Sequence, residues 1–248
     1  MNDHDLVDTG EMYLKAVLEL EEEGVAALRA RLVERFGHSG PTVSQTVDRL
    51  RRDQLLDLGA DRRITLTVTG RTTAGAVMRK HRLTEVFLQQ VVGLEWPLLH
   101  TEACRWEHVV SDHTESLIDK LLGHPRLSPY GNPIAAGQAG PVENLARLAA
   151  SAGRTGSEHP ARTIAWIGEP LQADPDALQE LLDLGLTPGA AIAAPRAQAA
   201  TVTLTRGDEH EVSLPERLAR HLFVSTEAPG HPGPEPLGAE LAGAGTAG

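Results

Sequence analysis

Leu28-Arg-Ala-Arg-Leu-Val-Glu-Arg-Phe36, then Gly37-His-Ser-Gly40, then Pro41-Thr-Val-Ser-Gln-Thr-Val-Asp-Arg-Leu-Arg-Arg52 is the stretch whose reading decides the fold. Leu28, Leu32 and Phe36 recur at helical spacing, and Gly37 stops that helix. Pro41 opens a second one, because proline in a first helical turn forfeits no hydrogen bond. Val43, Val47 and Leu50 form its buried stripe and turn Thr42, Ser44, Gln45, Arg49 and Arg52 outward. Downstream, Leu55-Leu56, a Gly59-Ala60-Asp61 turn and alternating Ile64, Leu66 and Val68 predict a hairpin ending at Gly70. Helix, tight turn, helix, hairpin is a winged helix-turn-helix. The outward set suits a DNA major groove: glutamine bonds adenine at N6 and N7, hydroxyls reach base edges or phosphate, and arginine reads guanine or phosphate. Gln45 is the expected base contact, with Arg29, Ser39 and Pro41 in the same DNA surface and Arg62-Arg63 on the wing. The bland alternative is a helix pair that only packs.

Charge supports the groove reading locally although not globally. The 248 residues carry 23 Lys+Arg against 34 Asp+Glu, a net charge of −11 that taken alone argues against phosphate partners. Yet six arginines face two acids within 28–52, directly after a first segment in which Lys15 stands against eight carboxylates. An apolar fraction of 41% is ordinary for a chain that buries real cores and excludes collagen-like and wholly disordered classes. No apolar run approaches the roughly 18 residues that span a bilayer, so no membrane partner is expected. Cys104 is the one cysteine, and Asn2, Asp3, His4 and Asp5 stand where a signal peptide needs basic and then apolar residues. A reduced, cytoplasmic protein is expected.

The domain expectation follows: 1–73 a winged helix-turn-helix, 74–134 helical, 135–161 a Gly/Ala-rich linker in which Val142 to Ala150 could form one short helix. A small, mostly β domain over 162–224 is expected from strand-like Thr163–Ile167 and Thr201–Thr205 around a helical Asp176–Leu184, and a disordered Pro/Gly/Ala tail over 225–248.

The chemistry lies in two helical segments. His81 and Glu85, four apart, leave one helix face together, as two ligands of one ion must. His100, Cys104, Glu107 and His108 fall at roughly 0°, 40°, 340° and 80° on a helical wheel, one stripe. Taken singly, Cys104 reads as a small buried hydrophobe, Glu107 as a solvated acid and His108 as a core imidazole. As a set, thiolate, carboxylate and imidazole suit a first-row divalent ion, with zinc, nickel and cobalt able to bind more tightly in vitro than iron. A structural zinc cage lacks its further cysteines. A nucleophile with base and orienting partner is not recognisable, so an enzyme with a small-molecule substrate is the least supported class. A redox sensor in which Cys104 oxidises and releases DNA is a further alternative. Met12, by spacing alone, is a core gap-filler.

Five motifs in order, Leu6-Val-Asp-Thr-Gly-Glu-Met-Tyr-Leu14, Ser39-Gly-Pro-Thr-Val-Ser-Gln-Thr-Val47, Met78-Arg-Lys-His-Arg-Leu83, Glu102-Ala-Cys-Arg-Trp-Glu-His108 and Gly131-Asn-Pro-Ile134, resemble the diphtheria toxin repressor family of metal-dependent, iron-responsive regulators. The likeness is close over about 6–134 and loose over 162–224. It implies a winged helix, a helical dimerisation and metal domain, and a C-terminal domain like an SH3 barrel. It further implies a homodimer that binds pseudo-palindromic double-stranded operator DNA when its metal sites are filled, controlling iron homeostasis genes. By the resemblance, Met12, Cys104, Glu107 and His108 form a primary site and His81, Glu85 and His100 an ancillary one. The family's third domain adds a carboxylate and an amide. Here Asp174 falls at the carboxylate's expected place, and Ala177 stands where the amide should be. Arg82, Ser128 and Asn132 match ligands of a bound anion. Manganese-sensing members carry harder oxygen ligands where Met12 and Cys104 stand, so thioether plus thiolate implies Fe(II), with Mn(II) the alternative signal.

Overall fold

The computed structural model of the chain describes residues 3–135, 140–155, 160–207 and 210–226, with side chains from residue 9 onward and without those of 153–155. Helix α1 (Asp3–Glu22) buries Tyr13, Leu14, Val17 and Leu18 in one core with α2 (Arg29–Phe36) and α3 (Gly40–Arg52). Gly37 ends α2 at φ 64°, a left-handed conformation that costs glycine little. Ser39 caps α3, its hydroxyl accepting the Thr42 N–H at 3.3 Å, and Val43, Val47 and Leu50 are the buried residues of that helix.

Strands β1 (Leu56–Leu58) and β2 (Ile64–Leu66) pair antiparallel, Leu56 opposite Leu66. Val68, read from alternation as a strand residue, instead begins α4 (Val68–Phe87) and is 86% exposed. Thr67 accounts for the switch: its hydroxyl accepts the Gly70 N–H at 3.0 Å, capping the helix and ending the strand. A Cβ on Gly70 would lie 1.9 Å from the Leu55 carbonyl oxygen, so only glycine lets α4 start against the hairpin.

A π turn (Leu88–Val92) continues α4, and after the short turn Trp96–Leu98 come α5 (Leu99–Trp106) and α6 (Asp112–Leu121). Leu83, Val86, Ile118, Leu122 and Ile134 make this middle core. None of the helices among the described residues is long and apolar enough to cross a membrane.

The third unit is an antiparallel sheet of order β3-β8-β4-β5-β6-β7. Its strands are β3 (Val142–Asn144), β4 (Arg162–Ile167), β5 (Ala191–Gln198), β6 (Thr201–Arg206), β7 (Glu211–Pro215) and β8 (Leu222–Ser225). Irregular register at Ile164/Trp166 and Ala193/Arg196 bends the sheet, in keeping with the expected SH3-like domain. Helices α7 (Leu145–Thr155), α8 (Glu169–Gln172), α9 (Pro175–Asp183) and α10 (Glu216–Ala219) complete it.

The stretch read as a linker differs from expectation. It holds β3, paired to β8, and α7, whose Leu145, Leu148 and Ala149 join the third core. Alanine is the best helix former, and two leucines one turn apart suffice to anchor such a helix. Of the tail, Ser225 ends β8 and Thr226 donates its N–H to the Pro141 carbonyl at 3.0 Å, while the rest lies outside the described residues.

The third core also takes in Leu88, Leu99, Ala103 and Tyr130 of the middle region. Contact is made at the Gly131-Asn-Pro-Ile134 turn, where Ile167 donates its N–H to the Tyr130 carbonyl at 3.0 Å. Gly131 sits at φ 83°, and a Cβ there would lie 2.0 Å from the Ala165 carbonyl oxygen.

Candidate metal centre and DNA-reading surface

Four elements aim donors at one buried region. Helix α4 supplies His81 and Glu85 one turn apart, α5 supplies His100 and Cys104, the turn closing α5 supplies Glu107 and His108, and α1 lines the same cavity with Met12. His81, Glu85, His100 and Glu107 are 4% exposed or less. His81 Nε2 lies 2.8 Å from Glu85 Oε1 and 3.1 Å from His100 Nδ1, and His100 Nε2 lies 3.5 Å from Cys104 Sγ. Glu107 Oε2 is 2.5 Å from His81 Nδ1, while its other oxygen is 3.2 Å from His108 Nε2. The two sets that the resemblance separates are therefore one continuous cluster here, in which the ligand atoms of His81, His100 and Cys104 lie within 4.8 Å of one another.

Its electrostatics are those of a cation site. Burial alone would raise the Cys104 thiol, but Lys15, His81 and a hydrogen bond from His100 hold it down at about 5, so the thiolate is the resting form. Burial opposes protonation of His100, yet Cys104 and Glu85 push it up to about 9. Hydrogen bonds to Glu107 and, against burial, to Glu11 raise His108 to about 9. Glu107 is held far below the carboxylate range despite burial, by Lys15 and His81. Glu85 Oε2 and Glu169 Oε2 are buried without a hydrogen-bond partner among the described residues, the latter 3.4 Å from His100 Nδ1. Orphaned carboxylate oxygens, imidazoles and a thiolate around one point fit a divalent ion.

The third-domain carboxylate that the structure brings to the cluster is Glu169, whereas the expected Asp174 is engaged elsewhere. Glu169, 2% exposed, brings Oε2 to 3.4 Å from His100 Nδ1 and Oε1 to 3.2 Å from Arg82 Nη2. Asp174 is instead the cap of α9, accepting the Ala177 N–H at 3.1 Å, which turns its carboxylate along its own helix. The expected amide exists one turn after Glu169: Gln172, fully buried, donates to Asn132 Oδ1 at 2.9 Å and to the Ile167 carbonyl at 2.6 Å. Gly168-Glu-Pro-Leu-Gln172 carried the signal, since proline just inside a short helix and Glu-x-x-Gln spacing put both side chains on one face.

The expected anion site is differently filled. Arg82 is engaged by two of the protein's own carboxylates, Glu22 Oε2 at 2.6 Å and Glu169 Oε1 at 3.2 Å, and donates to the Pro133 carbonyl at 2.8 Å. Ser128 accepts the Tyr130 N–H at 3.2 Å, and Asn132 is taken by Gln172. Sequence reading also missed Lys15, whose ammonium lies 2.7 Å from Glu107 and 3.1 Å from His81 Nδ1, and Glu11, 2.7 Å from His108 Nδ1. Met12, Lys15 and Glu19 follow helical spacing on α1, the one clue available.

The candidate DNA-reading surface is carried by α3 and the wing. Pro41, Thr42, Gln45 and Arg52 are exposed on α3 with Ser44 half-buried, and Arg62 and Arg63 project from the wing. Three of the expected contacts are committed locally. Ser39 caps α3, Arg29 pairs with Asp48 at 2.6 Å, and half-buried Arg49 turns back so that its guanidinium would lie 3.7 Å from a Cβ on Gly10.

A winged helix sharing one helix with a buried sulfur, nitrogen and oxygen cluster defines a metal-responsive DNA-binding regulator. Residues 5–63 match the iron dependent repressor N-terminal DNA binding domain, and residues 67–136 match the iron dependent repressor metal binding and dimerisation domain. The chain is 43% identical over 227 residues to the iron-dependent repressor IdeR of Mycobacterium leprae, spanning 89% of this chain and 98% of that one. It is 58% identical over 130 residues to the diphtheria toxin repressor of Corynebacterium diphtheriae, spanning 52% and 58%. Among solved structures, a manganese-dependent transcriptional repressor in complex with manganese superposes with a TM-score of 0.72 at 28% identity, covering 87% of this chain and 98% of that one. The chain belongs to the iron-dependent repressor family, a family of transcriptional repressors.

Proposed function

We propose that the chain is an Fe(II)-activated repressor that binds a pseudo-palindromic operator as a homodimer. The observation that carries this is the double use of α1: Tyr13, Leu14 and Val17 belong to the core that seats α3, and Met12, Lys15 and Glu11 of the same helix reach the cluster. A bound ion would supply a charge that neutralises the Cys104 and Glu107 anions and draws their donors together. This chain's own residues do the rest. Glu107 and His108, held by the middle domain, hold α1 through Lys15 and Glu11, with Met12 facing the same cavity, and α1 in turn fixes the angle of α3. Two such helices in a dimer must meet half-sites one helical turn of DNA apart, or a multiple of it, so a modest tilt decides binding. Val91, Val92, Leu98, Leu117 and Leu121, all exposed apolar residues of the middle domain, are suited to the dimer face.

Thioether and thiolate donors favour Fe(II) over Mn(II). The Mn(II) reading draws on Glu11, a hard oxygen donor 2.7 Å from His108, and on the likeness to the solved manganese-dependent repressor. Anaerobic fluorescence anisotropy on a labelled family-type palindrome, titrated separately with Fe(II) and Mn(II), separates them. Tight binding with Fe(II) that chelator abolishes, and that Cys104→Ala or His108→Ala loses while remaining a folded dimer, is the expected result. Unchanged metal-dependent binding in either variant overturns the assignment.

A further inference from the structure

Met12 and Tyr13 are adjacent on α1 and about 100° apart around it, so Met12 lines the cluster's cavity while Tyr13 turns off it toward α2 and the turn. Tyr13 is fully buried. Its ring stacks on Phe36, the last residue of α2, with centroids 4.6 Å apart, and on the imidazole of His38 at 6.1 Å. The Tyr13 hydroxyl lies 2.9 Å from His38 Nδ1 and within hydrogen-bonding reach of Thr46 in α3. Four pieces of the DNA-binding unit meet at this one side chain: α1, the end of α2, the turn, and α3.

The turn needs such a pin. His38 is flanked by Gly37, at φ 64°, and is followed after Ser39 by Gly40, and a Cβ on either glycine would touch nothing within 4 Å. Backbone sterics therefore constrain the turn weakly. His38 also directly precedes Ser39, the cap from which α3 starts. We infer that the Tyr13–His38 contact is the positioning link through which the metal-facing side of α1 sets the orientation of the recognition helix. This rests on the repressor reading above. Metal affinity itself would be untouched, because neither residue reaches the cluster. What changes is the factor by which metal improves DNA binding.

The test uses the full chain, Ni(II) as the probe ion and a family-type labelled palindrome. Wild type must first bind that duplex in a Ni(II)-dependent way; failure there removes the repressor reading and not this inference alone. Given that, Tyr13→Phe keeps the ring and removes one hydroxyl, and His38→Ala removes its partner. Each should lower the Ni(II)-induced gain in DNA affinity about fivefold, the size of one lost hydrogen bond within a typical coupling. Ni(II) affinity by calorimetry without DNA should stay within about twofold of wild type, since no cluster contact is lost. The double variant should do no more than either single, and His38→Gln should recover most of the gain. Hydrogen exchange gives a readout independent of DNA: Ni(II) should slow amides of 37–46 in wild type and fail to do so in His38→Ala. Equal losses with and without Ni(II), additive effects, or no recovery in His38→Gln would mean a merely structural contact and overturn the inference.

Discussion

The winged-helix unit and the third domain come to the metal cluster by opposite routes. Residues 9–66 are assembled from local signals, each helix with its own stop or cap and each apolar stripe at its own period, and α1 brings Met12 to the cluster as part of that core. The third domain has a sheet whose neighbours are far apart in sequence, β3 beside β8 and β8 beside β4, and it brings Glu169 to the cluster only because the whole sheet docks on the Gly131 turn. Local encoding makes the first unit readable and hard to perturb piecemeal. Docking makes the second contribution conditional, something a single contact can remove.

Two glycines of equal crowding test this most severely. A Cβ would come to 1.9 Å from the Leu55 carbonyl oxygen at Gly70 and 2.0 Å from that of Ala165 at Gly131. Gly70→Ala should cost about 3 kcal/mol and lower the main unfolding transition followed by calorimetry. Gly131→Ala should leave that transition in place and release the third domain, seen as new protease cleavage between 135 and 142. A single cooperative loss in both variants would erase the distinction.

A narrower test contrasts Glu169→Ala with Asp174→Ala. The first removes a carboxylate 3.4 Å from His100 and should weaken Ni(II) binding by about 10- to 100-fold in calorimetry. The second removes only a helix cap, about 1 kcal/mol in thermal stability, with Ni(II) binding unchanged. The reverse pattern would restore Asp174 as the ligand.

Protons should then report how the cluster fills. His100 and His108 are held protonated up to about 9, whereas an ion needs their lone pairs, so metal entry expels protons. Because the folded values lie above the ordinary 6.5, this protonation stabilises the metal-free fold below about 6.5, and the contribution is lost as pH rises through 9. Ni(II) affinity should therefore climb as pH rises toward about 9 and level off above it, by up to about tenfold per pH unit for each proton released. Calorimetry in two buffers of different ionisation enthalpy counts those protons; a pH-independent affinity would mean the histidines are not ligands.

The smallest effects concern the exposed face of α3. Gln45→Ala should cost about 1–3 kcal/mol at one base position and little elsewhere, whereas Arg52→Ala should weaken all sequences alike and reduce the salt slope by about 1. Equal loss on every duplex from Gln45→Ala would reduce it to a positioning role.

Most of the DNA-binding unit was legible in advance, and its few departures share a cause. Val68 alternates with Ile64 and Leu66, but the Thr67 hydroxyl bonds the Gly70 N–H and converts the strand into a helix start. Arg29 and Ser39 look available in a linear reading, yet Arg29 is paired with Asp48 of the next helix and Ser39 is used as the cap of α3. The metal residues divide the same way. His81 with Glu85, and His100 with Cys104, share helix faces and could be paired by spacing. Met12 and a carboxylate from the third domain could be named only by resemblance, which pointed to Asp174 where the structure brings Glu169 to the cluster.

Periodicity, caps and turn residues by themselves determined the winged helix, the hairpin and which side chains leave each metal-bearing helix together. Those signals act over three or four residues, the range across which a helix or turn can constrain its own side chains. The tertiary structure alone decided that Glu169 rather than Asp174 faces His100, that Glu22 and Glu169 occupy Arg82, that Lys15 sits between Glu107 and His81, and that Tyr13 pins the turn before α3. Each of these joins residues 25 to 92 positions apart in the chain. Such encounters depend on how whole cores pack, which no local pattern encodes.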